Sequence, residues 1–322
     1  MSTIYFLSDL LSASARRLRR IWLGRHGLSC LLLLCSADLL AKPVPAKPPE
    51  APPAFASRQA ALAALPPLML WVGERPDDVR TWIDGSARQA RLNGAETKPA
   101  PSNQEQRIGV AVLDTTILLR DGSATVRRRQ QALRLPLAWY ADNRLQQKTP
   151  LVTIVHIDMA GGAHKPALNE KQKRIIVNAV TAAATRSPSQ VVQLDFEVMH
   201  SQKPFLADIV RRSRDALPAN VALSITALAS WCVGDAWLSD LPADEVVPMA
   251  FRMNGDTKRM REVLDQDGRF PRPECQPSLG LSLDEQPWPD KLRSQRLYLF
   301  NRNAWSATPM AGWAVRLGAI FP

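Results

Sequence analysis

A chain of 322 residues with 46% hydrophobic content and a formal charge of +11 can bury a large core, so the composition excludes a disordered or fibrous polypeptide. Its length fits one large α/β barrel as well as it fits two average domains. Beyond residue 41 the basic residues are scattered, with Arg127-Arg128-Arg129 the one compact cluster, and no nucleic-acid motif accompanies them, so no nucleic-acid partner is expected.

The first 41 residues read as a secretory signal peptide. Arg16, Arg17, Arg19, Arg20 and Arg25 precede the apolar run Leu28 to Leu34, and small residues follow at Ser36, Ala37 and Ala41. Cleavage after Ala37 or Ala41 is expected, and removing residues 1–41 takes away five Arg and two Asp, which lowers the charge to +8. The alternative is an N-terminal anchor, although Asp38 interrupts an apolar stretch shorter than the roughly 20 residues a spanning helix needs. Cys30 and Cys35 lack the small-residue context of a lipidated cysteine. The expectation is therefore a periplasmic or secreted protein with no stable membrane insertion after processing. Residues 42–58, dominated by Pro and Ala, follow as a tether, and residues 59–322 are expected to form a single barrel domain.

Eight short apolar runs then recur: Leu68 to Val72, Ile108 to Leu113, Leu151 to Ile157, Val191 to Phe196, Val221 to Leu228, Glu245 to Phe251, Ser278 to Leu283 and Arg296 to Phe300. Helix-type segments separate several of them, at Asn169 to Thr185, Pro204 to Ala216 and Thr257 to Asp265. Strands alternating with helices predict a parallel sheet, and eight of them over this length predict a (β/α)8 TIM-type barrel. One interval departs from the pattern. Asp121-Gly122 between Thr115 to Leu119 and Thr125 to Arg129 signals a β-hairpin where a helix belongs.

In such a barrel the active site gathers at the carboxyl ends of the strands. The fourth run ends in Gln193-Leu194-Asp195-Phe196-Glu197, where period-two alternation puts Gln193, Asp195 and Glu197 on one face. Glu197 is expected nearest the mouth and Asp195 one layer below. A deeper carboxylate that stays ionised raises the proton affinity of its neighbour, which suits Glu197 to general-acid work. The bland reading of the same acids is a pair of salt bridges at a strand end. His156 and Asp158 close the third run, Asp114 follows the second, Ser224 and Thr226 lie on the fifth, and Asp284 with Glu285 follow the seventh. Asp158 or Asp284 is the candidate base or nucleophile. A metal reading of His156 and Asp158 with His164 or His200 rests on ligand type alone, so no metal or other cofactor is expected. Trp231, Trp237, Trp288 and Trp305 follow strands and are candidate sugar platforms, each with helix packing as its ordinary alternative. Cys232 follows a strand and Cys275 precedes one, which in a barrel sets them at opposite ends and argues against a disulfide.

Val192-Gln-Leu-Asp195-Phe-Glu197, Leu217-Pro218, Leu223-Ser-Ile-Thr-Ala-Leu228 and Ser230-Trp231 resemble the bacterial family catalogued as domain of unknown function 3142, best over residues 150–255. That family is similar to barrel glycoside hydrolases, and its own activity is not established. A more distant likeness is to family 18 chitinases, whose fourth strand ends in Asp-x-Asp-x-Glu. Asp195 and Glu197 match the last two acids, while Gln193 replaces the first. Met249-Ala-Phe251-Arg252 resembles the chitinase Met-x-Tyr-Asp with both polar groups lost, which puts the substrate-assisted mechanism in doubt. The resemblance supports the barrel fold, and with the N-terminal segment and the strand-end residues it leads to the expectation of an exported glycoside-hydrolase-like barrel acting on an envelope or extracellular polysaccharide or oligosaccharide. Glu197 would be the proton donor and Asp195 its supporting carboxylate, with Gln193, His156, Thr226, Trp231, Phe251 and Arg252 touching substrate. The alternative is a non-catalytic glycan-binding or envelope-assembly protein of the same fold.

Overall fold

A computed structural model of the chain describes residues 55–84, 108–234, 236–285, 287–289, 291–294 and 296–309. The segment read as a signal peptide and most of the Pro/Ala tether lie outside the described residues. Eight parallel strands form the frame: β1 (Leu68–Val72), β2 (Ile108–Arg120), β3 (Leu151–Met159), β4 (Val191–Asp195), β5 (Ala222–Leu228), β6 (Glu245–Met249), β7 (Ser278–Ser282) and β8 (Arg296–Phe300). Each pairs with its successor, and β1 pairs with both β2 and β8, so the sheet closes into a TIM-type α/β barrel. Closure removes the unpaired edges that an open sheet would expose.

The period-two pattern sorts side chains between two cores. Met69, Ala111, Leu113, Val152, Ile154, Val191, Ala222, Val247 and Tyr298 fill the lumen, while Leu68, Leu70, Val155, Val192, Leu194, Ile225, Leu279 and Leu299 face outward. The outer row is covered by α2 (Glu170–Ala184), α3 (Lys203–Ala216) and α4 (Thr257–Asp267). In α2 the buried residues Gln172, Ile176, Val180 and Ala183 recur at helical spacing, and Asn169 with Gln172 forms a capping box at its start. Helix α4 stops at Gly268, whose left-handed φ of 68° and closeness to the Lys291 carbonyl leave no room for a side chain. Among the described residues no helix is long and apolar enough to cross a membrane.

The short α1 (Arg58–Ala63) plugs the amino end of the barrel, with Ala61 and Leu65 joining the lumenal core. Within the stretch read as tether, Phe55 donates its backbone N–H to Gln190, and Ser57 caps α1. At the other end β2 overruns the barrel and turns at Asp121-Gly122 into an antiparallel strand, Ser123–Arg128, which forms the hairpin that replaces a helix. Of the arginine cluster, Arg128 reaches Asp114, and Arg129 donates to the carbonyls of Gly73 (2.5 Å), Arg75 (2.6 Å) and Gln131 (2.9 Å). Those two side chains brace the hairpin base rather than forming a free basic patch.

One expectation is overturned. Cys232 and Cys275 form a disulfide, with their Cα atoms 5.9 Å apart. The link from β5 to β6 contains the 3-10 turns Ala229–Cys232 and Ala236–Asp240 in place of a long crossover helix, and it folds back along the barrel wall. There it meets the turn before β7: Arg272 donates to the Gly234 carbonyl at 2.6 Å, and Ser239 to Glu274 at 2.8 Å. Strand-end logic places the strands correctly but not a connection that doubles back.

Candidate functional site at the carboxyl mouth

The register brings His156 of β3 directly beside Asp195 of β4. His156 Nδ1 lies 2.7 Å from Asp195 Oδ2, and His156 Nε2 lies 3.2 Å from Asp158 Oδ1, so one imidazole is clamped between two carboxylates. Thr226 of β5 donates its hydroxyl to the other Asp195 oxygen at 2.7 Å. Asp195 is buried and fully engaged, whereas the Asp158 side chain is 59% exposed at the rim. Burial works against charge on His156, but hydrogen bonds and charge from Asp158 and Asp195 outweigh it and push the ring up to about 10. At neutral pH it is an imidazolium. The same contact holds Asp158 below the usual carboxylate range.

Glu197 lies two residues past Asp195, just beyond the end of β4. Glu197 is exposed at the rim, yet the protein atoms around it still partly desolvate its carboxyl and push it up; the Asp195 charge adds to the rise, and His156 and Arg252 oppose it. One acid is thus raised beside another that is engaged by an imidazolium and a hydroxyl, the usual device by which a site sets two carboxyl groups to different tasks.

Gln193 lies one layer lower, fully buried, where its amide donates to Ser224 Oγ at 3.1 Å and its Oε1 has no partner. Ser224 donates in turn to Glu245 at 2.7 Å, and Glu245 also accepts from Ser278 (2.7 Å), Tyr298 (2.8 Å) and Arg296 (2.5 Å). Burial alone would raise the Glu245 carboxyl, but Arg296 and the three hydroxyls hold it below its ordinary value. This amino-end layer, tied through Arg296 to the carbonyls of Leu62 and Pro66, is structural. Its signal was available: Glu245 opens its strand in phase with the lumenal Val247.

Around the remaining rim, Asp284 accepts from Ser282 at the end of β7, and the Glu285 carboxylate receives the Arg252 backbone N–H at 3.0 Å. Arg252 has a left-handed φ of 50°, which that carboxylate helps to hold. Asp114 sits within β2 at a bulge, where the register shift after Leu113 turns it to Arg186 (2.5 Å) and away from the mouth. His164 pairs with Asp121 at 3.4 Å, not with His156. Both His156 nitrogens are occupied, and among the described residues no group of three or more His, Cys, Asp or Glu is arranged to hold a metal ion.

The tryptophans that follow strands are packing residues in large part. Trp231 is buried edge-on to Trp237, Trp288 is buried and donates to the Ser282 carbonyl, and Trp305 is buried against Trp82. The aromatic groups in the mouth are others: Trp71 of β1 stacks on Phe300 of β8 with ring centroids 5.0 Å apart, and Phe251 lies 4.5 Å beyond Phe300. Phe251 was legible from the chitinase-like motif. Trp71 and Phe300 obey the same alternation that marked Asp195, being the last inward residues of their strands.

The fold and site together define a TIM-type barrel with a carboxylate–imidazolium–carboxylate clamp and an adjacent raised carboxyl at its carboxyl mouth. Comparisons with protein-family models, with curated proteins and with solved structures return no match for this chain.

Proposed function

We propose that the protein is an exported glycoside hydrolase acting on an envelope or extracellular polysaccharide, with Glu197 as general acid. The reading also keeps the resemblance to the domain of unknown function 3142. The observation that carries it is the contrast between Glu197, pushed up by desolvation and by Asp195, and an Asp195 tied to the His156 imidazolium and to Thr226. Glu197 gives its proton to the glycosidic oxygen as the C–O bond breaks, and water supplies the hydroxyl to the anomeric carbon. Asp195 positions the imidazolium and sustains the proton affinity of Glu197. Asp158 stands on the strand beside Glu197, so the carboxylate that takes the proton from water is assigned to Asp284, which follows β7 on the far side of the ring. The Cys232–Cys275 disulfide supports the export reading, because such bonds persist in oxidising compartments.

A glycan-binding barrel without turnover is the second reading, favoured by the ties of Asp284 to Ser282 and of Glu285 to Arg252. The test is a panel of bacterial polysaccharides assayed for reducing ends and for binding with the wild type and Glu197→Gln. Hydrolysis abolished in Glu197→Gln, with binding and circular dichroism retained, supports the acid role; equal turnover in both refutes it. Binding without turnover by the wild type selects the second reading, and no binding to any polysaccharide refutes both.

A further inference from the structure

Trp71 poses a specific problem. It is the last inward residue of β1, its ring packs against the lumenal core and Phe300, and its indole Nε1 is buried with no hydrogen-bond partner. A buried N–H left unpaired costs on the order of 1–3 kcal/mol, a cost that an acceptor reaching Nε1 would relieve. The neighbouring positions are shaped around this wall. Ala111, its register partner on β2, is small, and Gly280 on β7 has no side chain where the Phe300 ring passes, so an added Cβ would lie 3.2 Å from that ring. Trp71, Phe300 and Phe251 each keep part of their surface accessible. In the closed strand order β8 and β1 are four strands round from β4 and β5, so Trp71 and Phe300 face the Asp195 and Thr226 side across the mouth, and Phe251, after β6, extends the aromatic surface toward β5.

We propose that Trp71, Phe300 and Phe251 form the platform that selects the sugar, and that Trp71 Nε1 donates to an oxygen of the bound ring. This rests on the glycan reading above and deepens it by naming the sugar class. An aromatic wall covers the flat C–H face of a hexopyranose whose substituents are equatorial, as in β-1,4-linked glucose or N-acetylglucosamine. An axial hydroxyl would break that face. The nearby indole donor fixes the ring by an oxygen at its edge, so Trp71 acts as a specificity-determining contact and takes no part in proton transfer.

The test titrates cellohexaose, chitohexaose and an α-mannan hexamer into the full mature chain and its Trp71→Phe variant, which keeps a smaller aromatic ring and removes the donor. Expected are binding of an equatorial hexamer by the wild type, weaker binding of the mannan, and a roughly threefold to tenfold loss in Trp71→Phe, the value of one neutral hydrogen bond. In the unmodified chain, the Trp71 indole N–H resonance should move when the equatorial hexamer is added, a readout that stands even if the variant folds poorly. Equal affinity of wild type and variant with an unmoved indole signal overturns the platform while leaving glycan binding intact. Preference for the α-mannan overturns the sugar class. Failure of the wild type to bind any hexamer or any bacterial polysaccharide overturns the glycan reading, and the platform with it.

Discussion

Asp195→Asn is the perturbation that interrogates the site most directly, because it preserves shape while removing one charge. It weakens a 2.7 Å bond between a carboxylate and a protonated imidazole in a buried position. Hydrogen bonds to charged groups contribute about 1.5–3 kcal/mol, and about 1.4 kcal/mol corresponds to one pH unit of midpoint, so His156 should titrate roughly one to two pH units lower in the variant. In the wild type the two carboxylates push the ring up to about 10, which is the reference for that fall. Proton NMR of the imidazole resonances reads this directly: the chain has four histidines, and loss of one signal in His156→Gln identifies the relevant peak. The Asp195 charge is also one cause of the raised Glu197 carboxyl, so the alkaline limb of the pH–rate profile, which depends on protonated Glu197, should retreat to lower pH in the same variant. A His156 midpoint that stays within a few tenths of the wild-type value would refute the clamp.

The clamp has a consequence for stability. A histidine raised in the folded state from 6.5 to about 10 stabilises fully below its unfolded value, and that contribution is lost as pH rises through the folded one. Between those limits His156 alone should make stability fall by about 1.4 kcal/mol per pH unit. Urea denaturation at pH 7 to 10 should therefore show a steeper decline for the wild type than for His156→Gln.

At the amino end, Arg296→Leu leaves Glu245 buried with hydroxyl partners but no opposing charge, which should cost about 3–5 kcal/mol and lower Tm by roughly 6–20 °C. The paired change Arg296→Leu with Glu245→Gln should recover most of that loss, and a Tm for Arg296→Leu within 2 °C of wild type, below the roughly 6 °C minimum expected, would show the pair to be dispensable. The disulfide joins positions 43 residues apart, so replacing Cys232 and Cys275 by serine should lower unfolding free energy by about 4 kcal/mol on the loop-entropy account. The urea midpoint of the serine pair, set beside that of the oxidised wild type, measures it; coincident midpoints would contradict the bridge as a stabilising link.

Much of the mouth was legible from local pattern alone. Alternation along Val191–Asp195 marks Asp195 as an inward strand-end residue, and the same rule marks His156 and Thr226, because side-chain direction in a strand depends only on neighbouring backbone. The Asp121-Gly122 turn betrays the hairpin for an equally local reason, a backbone conformation that few residue pairs adopt. Gln193 has the right phase but the wrong depth, and phase carries no information about depth.

What only the tertiary structure decided are contacts between distant parts of the chain. Trp71 meets Phe300 because β1 closes against β8, and Arg296 meets Glu245 because the starts of β6 and β8 converge on the lumen. Cys232 meets Cys275 because one connection doubles back along the wall. The sequence by itself determined eight strands, their inward faces and the acids that end them. Barrel closure decided which inward faces confront one another, since each such meeting depends on the summed twist and stagger of every strand between the partners.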